Sequence, residues 1–268
     1  MSTALFVSPH LDDVAFSCGG TLAALKAKRW TVALVTVFTR SVPEPKGFAL
    51  QCQTSKGLGP EVDYMALRRD EDRAFAACMG VDHVRWGDLE EAPHRGYASP
   101  EALFQPPRAD DTIEARVAAC LKPVLWDLKP DRVFVPQALG HHVDHVQVVR
   151  AVKGLGIPSN RILYYRDTPY AVRQPRAHPD AAVPQGLRPL TVDITEYLPK
   201  KVEGCIRYGT QLGFQFGGVE GLARTLTAFH RMEAQARGQP GAAEVFLAEP
   251  SQGAPPPPVT KTSPPATR

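Results

Sequence analysis

The sequence of 268 residues lacks several features that would decide its class at once. It has no apolar run near the roughly 20 residues that a membrane-spanning helix needs. The opening MSTALFVSPH has no basic segment, and its apolar stretch is too short for a secretory signal. Both absences point to a cytoplasmic chain. Cysteine is sparse: Cys18, Cys52, Cys78, Cys120 and Cys205 are an odd number, widely scattered, with no C-x-x-C. This argues against a disulfide framework and against a cysteine-based zinc site, and reduced thiols are expected. There is no G-x-G-x-x-G, and charged or ionisable side chains fill the first strand-to-helix loop, which argues against a dinucleotide site. Charge of one sign is scarce as well. The net charge is +3 and the basic residues are dispersed, so no nucleic-acid partner is expected.

What remains is an ordinary globular composition with 43% apolar residues, enough for one sizeable core. Short β-forming runs alternate with helical stretches. Strands are expected at Ala4–Ser8, Thr31–Phe38, His83–Trp86, Arg132–Pro136 and Arg161–Tyr165. Helices are expected after Gly19–Gly20, over Asp63–Met79 with Gly80 as its C-cap, over Asp111–Leu128 with Asp111 as N-cap, and over the VQVVRAVKG segment. Two further helices are expected at Pro199–Gln211 and Val219–Ala236, with GTQLGFQFGG irregular. This order predicts an α/β, Rossmann-like fold whose mainly parallel sheet carries helices on both faces. Residues 1–249 form one expected domain, and the proline-rich 250–268 an expected disordered tail. Long connections near 39–60 and 88–110 exceed the usual loop length and are expected to border an active site at the strand carboxyl ends.

Two segments carry chemistry. SPHLDD, Ser8–Asp13, follows the first strand and packs an imidazole and two carboxylates into four residues. GHHVDH, Gly140–His145, follows the fourth strand and holds three of the eight histidines. His142 and His145 are three apart, so one helical turn brings their rings to the same side. Imidazole and carboxylate donors from separate strands suit a catalytic zinc site with one coordination position kept for water. The same donors suit Fe²⁺, Co²⁺ or Mn²⁺. One carboxylate, Asp12 or Asp13, is left for proton transfer.

These motifs resemble the PIG-L/LmbE-like zinc-dependent N-deacetylases. PHLDDV, Pro9–Val14, resembles their first motif, and KPDRVFVPQALGHHVDH, Lys129–His145, their second. Arg68 and Glu71 in the helix that ends at Val81, the stretch YYRDTPY, and Lys201, Tyr208 and Gln211 extend the resemblance over about Ala4–Gly213. Leu11, Val14 and Val143 depart from the usual proline, glutamate and proline, which bears on the substrate more than on activity. The resemblance implies that His10, Asp13 and His145 bind Zn²⁺, that Asp12 is the general base and acid, and that His142 stabilises the oxyanion or leaving group. It implies removal of the acetyl group from an N-acetylglucosamine-type conjugate, a small-molecule partner. Arg68, either a simple helix ion pair with Glu71 or Asp72 or a residue of the cleft, joins Asp88 and Tyr170 as a candidate substrate contact. Asp144 is either an orienting carboxylate or a solvated helix-start residue, and His141 is expected to face away. Trp86, Trp126, Tyr164 and Tyr165 are expected in the core. The sequence does not fix the oligomeric state and leaves a homo-oligomer open. A metal-dependent esterase or amidase on another substrate, and a non-catalytic carbohydrate-binding protein, are the alternative readings.

Overall fold

The first strand is apolar through its middle, Ala-Leu-Phe-Val, and in the computed structural model, which describes residues 1–250, it lies in the interior of the sheet. Among the described residues there are seven strands: β1 (Thr3–Ser8), β2 (Thr31–Phe38), β3 (His83–Leu89), β4 (Arg132–Pro136), β5 (Ile162–Tyr165), β6 (Arg188–Asp193) and β7 (Ala243–Ala248), in the order β3-β2-β1-β4-β5-β7-β6. The first five run parallel. β7 and β6 are antiparallel additions at one side. The mainly parallel sheet is as expected. The two added strands are not: β6 follows only the four-residue helix α6 (Tyr170–Arg173), and β7 returns antiparallel between β5 and β6. The proline-rich segment expected to lack order lies outside the described residues.

Alternation along the strands divides the core. Ala4, Phe6, Val32 and Leu34 point to one face, where α1 (Asp13–Ala27), α3 (Tyr64–Met79), α7 (Leu198–Cys205), α8 (Gly209–Phe216) and α9 (Val219–Gln235) cover them. Leu5, Val7, Ala33 and Val35 point to the other, under α4 (Ile113–Leu128) and α5 (Val143–Lys153). Both faces of a parallel sheet must be covered in this way, since its strands are apolar on both sides.

Several boundaries differ from the sequence expectation. α1 starts at Asp13 rather than after the glycines, so the glycines lie inside it, beyond a kink at Cys18. The kink frees the N–H groups of Gly20 and Thr21, which donate to the Glu244 carboxylate at 2.9 and 2.7 Å. A Cβ on Gly20 would lie 2.8 Å from Ile194, so the glycine is required by close approach. Asp63 caps α3 through the Ala66 N–H and Gly80 ends it at φ 69°, as read from sequence. The N-cap position of α4 is Thr112 rather than Asp111, but the Asp111 carboxylate still accepts the Ile113 N–H at 3.2 Å and also receives Arg95 and Tyr97. The segment read as irregular is α8, and the single helix expected over Pro199–Gln211 is interrupted between α7 and α8. The long 39–60 connection contains its own helix, α2 (Gly47–Thr54). Trp126, expected in the core, is 77% exposed on α4.

Candidate active site

β1 and β4 are neighbours, and the strand order runs away from them in opposite directions, which opens a crevice beyond their carboxyl ends. His10, Asp12 and Asp13 leave the end of β1; His142, Asp144 and His145 sit at the start of α5 after β4. The residues come from segments more than a hundred positions apart, and the sheet register sets their distance.

Nδ1 of His10, Oδ2 of Asp13 and Nε2 of His145 form a closed triangle. The His10–Asp13 edge is 3.4 Å, the His145–Asp13 edge 3.2 Å and the His10–His145 edge 3.3 Å. Three ligands around a tetrahedral zinc at ordinary bond lengths are about 3.3 Å apart. The far nitrogens are also committed. His10 Nε2 donates to Asp144 at 2.9 Å, and His145 Nδ1 donates to Asp167, at the end of β5, at 2.6 Å. A carboxylate on the distal nitrogen fixes tautomer and ring orientation in metal-ligating histidines. The remaining nitrogens are thereby left as lone-pair donors aimed at one point. His142 joins His10 and His145 in a looser group whose ligand atoms lie within 4.8 Å of one another. The donor set fits a divalent metal.

Electrostatics agree. Burial disfavours a charged His145, yet Asp13 and Asp167 raise its pKa to about 9. Burial likewise opposes charge on His10, and its hydrogen bonds to Asp13 and Asp144 override it, lifting the pKa well above 6.5. Asp13 is held well below the ordinary carboxylate range by these imidazoles, despite its burial. The triangle therefore favours positive charge at its centre.

Asp12 stands apart from the triangle. Its Oδ2 is 3.2 Å from the Arg68 guanidinium, and its backbone holds φ 156°, a conformation that side chains other than glycine's rarely adopt. Burial raises its carboxyl to about 7, against the pull of Arg68. Arg68 makes no pair with Glu71 or Asp72. It binds Asp12, Glu91 and the Leu11 carbonyl, while Glu71 accepts from Thr210 and Asp72 from Trp86 and Tyr208. Arg68 thus lies in the floor of the crevice.

His142 caps α5: its Nδ1 accepts the Asp144 N–H at 3.2 Å. Burial, followed by the neighbouring His10, lowers its pKa to about 3, so the ring is neutral and its proton sits on Nε2. Asp144 is wholly buried and receives His10, Arg95 and the Ala92 N–H, so it orients an imidazole and is not a solvated helix-start residue. Tyr170 lines the cavity, its ring 5.5 Å from that of His145. Asp88 does not join the site; it is 74% exposed and pairs with Arg40. His141 faces outward to Asp180. Asp167 was not singled out from sequence, although it lies inside the YYRDTPY stretch whose resemblance was noted.

The cavity above these groups encloses about 520 Å³. An α/β crevice with a three-donor triangle, a separate carboxyl and a neutral imidazole belongs to the class of metal-site hydrolases. Residues 5–155 match the family GlcNAc-PI de-N-acetylase (PIG-L), and the chain belongs to it. Over 211 residues it is 35% identical to the 2'-N-acetylparomamine deacetylase of Streptomyces fradiae, covering 77% of this chain and 72% of that one. Among solved structures it is similar to the A40926 pseudoaglycone deacetylase Dbv21, with TM-score 0.76 and 26% identity over 91% of this chain and 96% of that one. It is also similar to the zinc-inhibited form of the teicoplanin deacetylase Orf2, with TM-score 0.75 and 25% identity over 92% and 97%.

Proposed function

We propose that this chain is a metal-dependent N-deacetylase of a 2-acetamido sugar, with residues 1–249 as its single catalytic domain. The observation that carries the reading is the His10–Asp13–His145 triangle, backed by Asp144 and Asp167, with Asp12 and His142 lining the same cavity. The named activities of the relatives, deacetylation in each case, support it.

Held by His10, Asp13 and His145, a divalent ion, zinc first and Fe²⁺, Co²⁺ or Mn²⁺ as alternatives, supplies a Lewis acid that polarises the acetamide carbonyl and acidifies the attacking water. Asp12 takes a proton from that water as its oxygen adds to the carbonyl carbon. The same carboxyl returns the proton to the amide nitrogen as the C–N bond breaks, releasing acetate and the free amine. A group that must accept and then give up a proton works best with a pKa near the working pH, which is where burial holds Asp12. His142, neutral with Nε2–H free, donates to the carbonyl oxygen as negative charge develops. Arg68 positions the Asp12 carboxylate, and Tyr170 forms a wall beside the sugar.

The test is metal content and turnover on N-acetylglucosaminides, measured together for wild type and variants. His10→Ala, Asp13→Ala and His145→Ala are expected to lose metal. Asp12→Asn is expected to retain it while turnover falls about 10²–10⁴-fold. Metal lost from Asp12→Asn and kept by Asp13→Ala would reverse the two roles. Wild-type turnover that survives complete metal removal would overturn the reading.

A further inference from the structure

The long connections converge on the mouth of the cavity. Lys56 comes from the 39–60 connection, Phe104 from the segment after β3, and Arg173 from the segment after β5; α8 adds Phe214. Phe104 is 41% and Phe214 61% exposed, although burial of such a ring is favourable. Rings left in water at the rim of a deep site are surfaces prepared for a ligand.

The charge at the mouth is of one sign. Lys56 Nζ lies over the rings of Tyr64 and Phe214, 5.2 and 5.3 Å from their centres. Arg173 donates to the side-chain oxygen of Gln215 at 2.6 Å. Among the described residues neither cation has a carboxylate partner. The carboxylates that border the cavity are each already matched: Asp12 and Glu91 to Arg68, Asp13 to the two imidazoles, Asp144 to Arg95. An ammonium group arriving at the mouth would find two cations and no free carboxylate. An aromatic ring bearing a carboxylate would find two phenyl rings and two cations whose only described partners are neutral, the Cys52 carbonyl for Lys56 and Gln215 for Arg173.

We infer that the rim formed by Lys56, Phe104, Arg173 and Phe214 is an aglycone subsite, and that it selects acetamido sugars carried on an anionic aromatic group. The inference rests on the deacetylase reading and adds the substrate class to it. Phe104 and Phe214 stack on the aglycone ring, and Lys56 and Arg173 take its carboxylate. The acetamide then lies over Asp12 and His142.

Four N-acetylglucosaminides test this: methyl, phenyl, 4-carboxyphenyl and 4-(aminomethyl)phenyl. In deacetylation, kcat/KM is expected to be about 3–10-fold higher for phenyl than for methyl, the size of one ring-stacking contact. It is expected to be about 10-fold higher for carboxyphenyl than for aminomethylphenyl, through KM, as two half-exposed ion pairs allow. Lys56→Gln with Arg173→Gln should bring that second ratio to within about twofold, and Lys56→Glu should invert it. Phe104→Ala and Phe214→Ala should erase the advantage of phenyl over methyl. Calorimetric binding of the same four ligands to Asp12→Asn protein gives the ranking without turnover. If aminomethylphenyl equals or exceeds carboxyphenyl in both measurements, the inference is wrong even though the enzyme deacetylates. If none of the four is deacetylated by metal-loaded protein, the deacetylase reading fails, and the binding ranking still decides the subsite.

Discussion

Two carboxylates hidden behind the imidazoles of the triangle set what individual substitutions should do. Asp167 receives His145 Nδ1 at 2.6 Å and also accepts the Leu139 N–H, so it fixes the ring on which the triangle depends. Asp167→Ala is expected to weaken metal affinity about 10–100-fold, measured by chelator competition. Unchanged affinity would mean that packing alone orients His145. His142 should behave differently, because it contributes a proton donor and not a triangle atom. His142→Ala is expected to lower kcat about 10²–10³-fold with KM and metal content little changed. Metal depletion rescued by added zinc would make it a fourth ligand, and near-normal kcat would make it only a helix cap. The histidines and aspartates of both motifs were readable because so many ionisable groups at strand ends have few structural uses. Asp167 escaped because a single aspartate in a loop looks like any other turn residue until its partner across the crevice is known.

At the scale of elements, the kink in α1 is held by a buried network. Lys201 Nζ on α7 donates to Glu244 at 2.7 Å and to His230 Nε2 at 2.7 Å, and Glu244 in turn receives the two N–H groups freed at the kink. All three side chains are nearly inaccessible. Lys201→Met leaves Glu244 as an unpaired buried charge and should destabilise the fold by about 3–5 kcal/mol in urea unfolding. Adding Glu244→Gln should recover part of that loss; an additive double variant would show that the pair does not act as a unit. The network explains why α1 begins at Asp13: the glycines are not its entry but its bend, where α7 and the Ile194 side chain approach most closely. Strand β7 supplies Glu244, so an element that was invisible in the sequence holds in place the helix on which Asp13 stands.

For the whole molecule, the same network links stability to pH. His230 accepts from Lys201 and donates through Nδ1 to the Ala243 carbonyl, so the ring is neutral; burial, and then the charge of Lys201, push its pKa well below 6.5. A depressed histidine contributes stability that is fully present above the unfolded pKa of 6.5 and is lost as pH falls below it, because only the unfolded chain takes up the proton. Below pH 6.5 the loss is at most about 1.36 kcal/mol per pH unit, the value for one proton taken up on unfolding. Wild type should therefore show a steeper acid-side loss of unfolding free energy than His230→Gln, and equal slopes would exclude His230 as the cause.

Sequence by itself determined the parallel strands, the helices that cross between them and the two motifs at their carboxyl ends. Those follow from local apolar patterning and from the rarity of clustered histidine and carboxylate, and both are properties of neighbouring residues. Tertiary structure alone decided that Arg68 turns from its own helix to Asp12, that Asp88 stays in solvent with Arg40, and that Asp144 and Asp167 lie behind His10 and His145. It also added β6 and β7 to the sheet edge and brought the segments after β2, β3 and β5 to one mouth. Each of these depends on pairings between residues far apart in the chain. The energy of such a pairing comes from the distance and burial that the folded sheet imposes, and no local pattern encodes either.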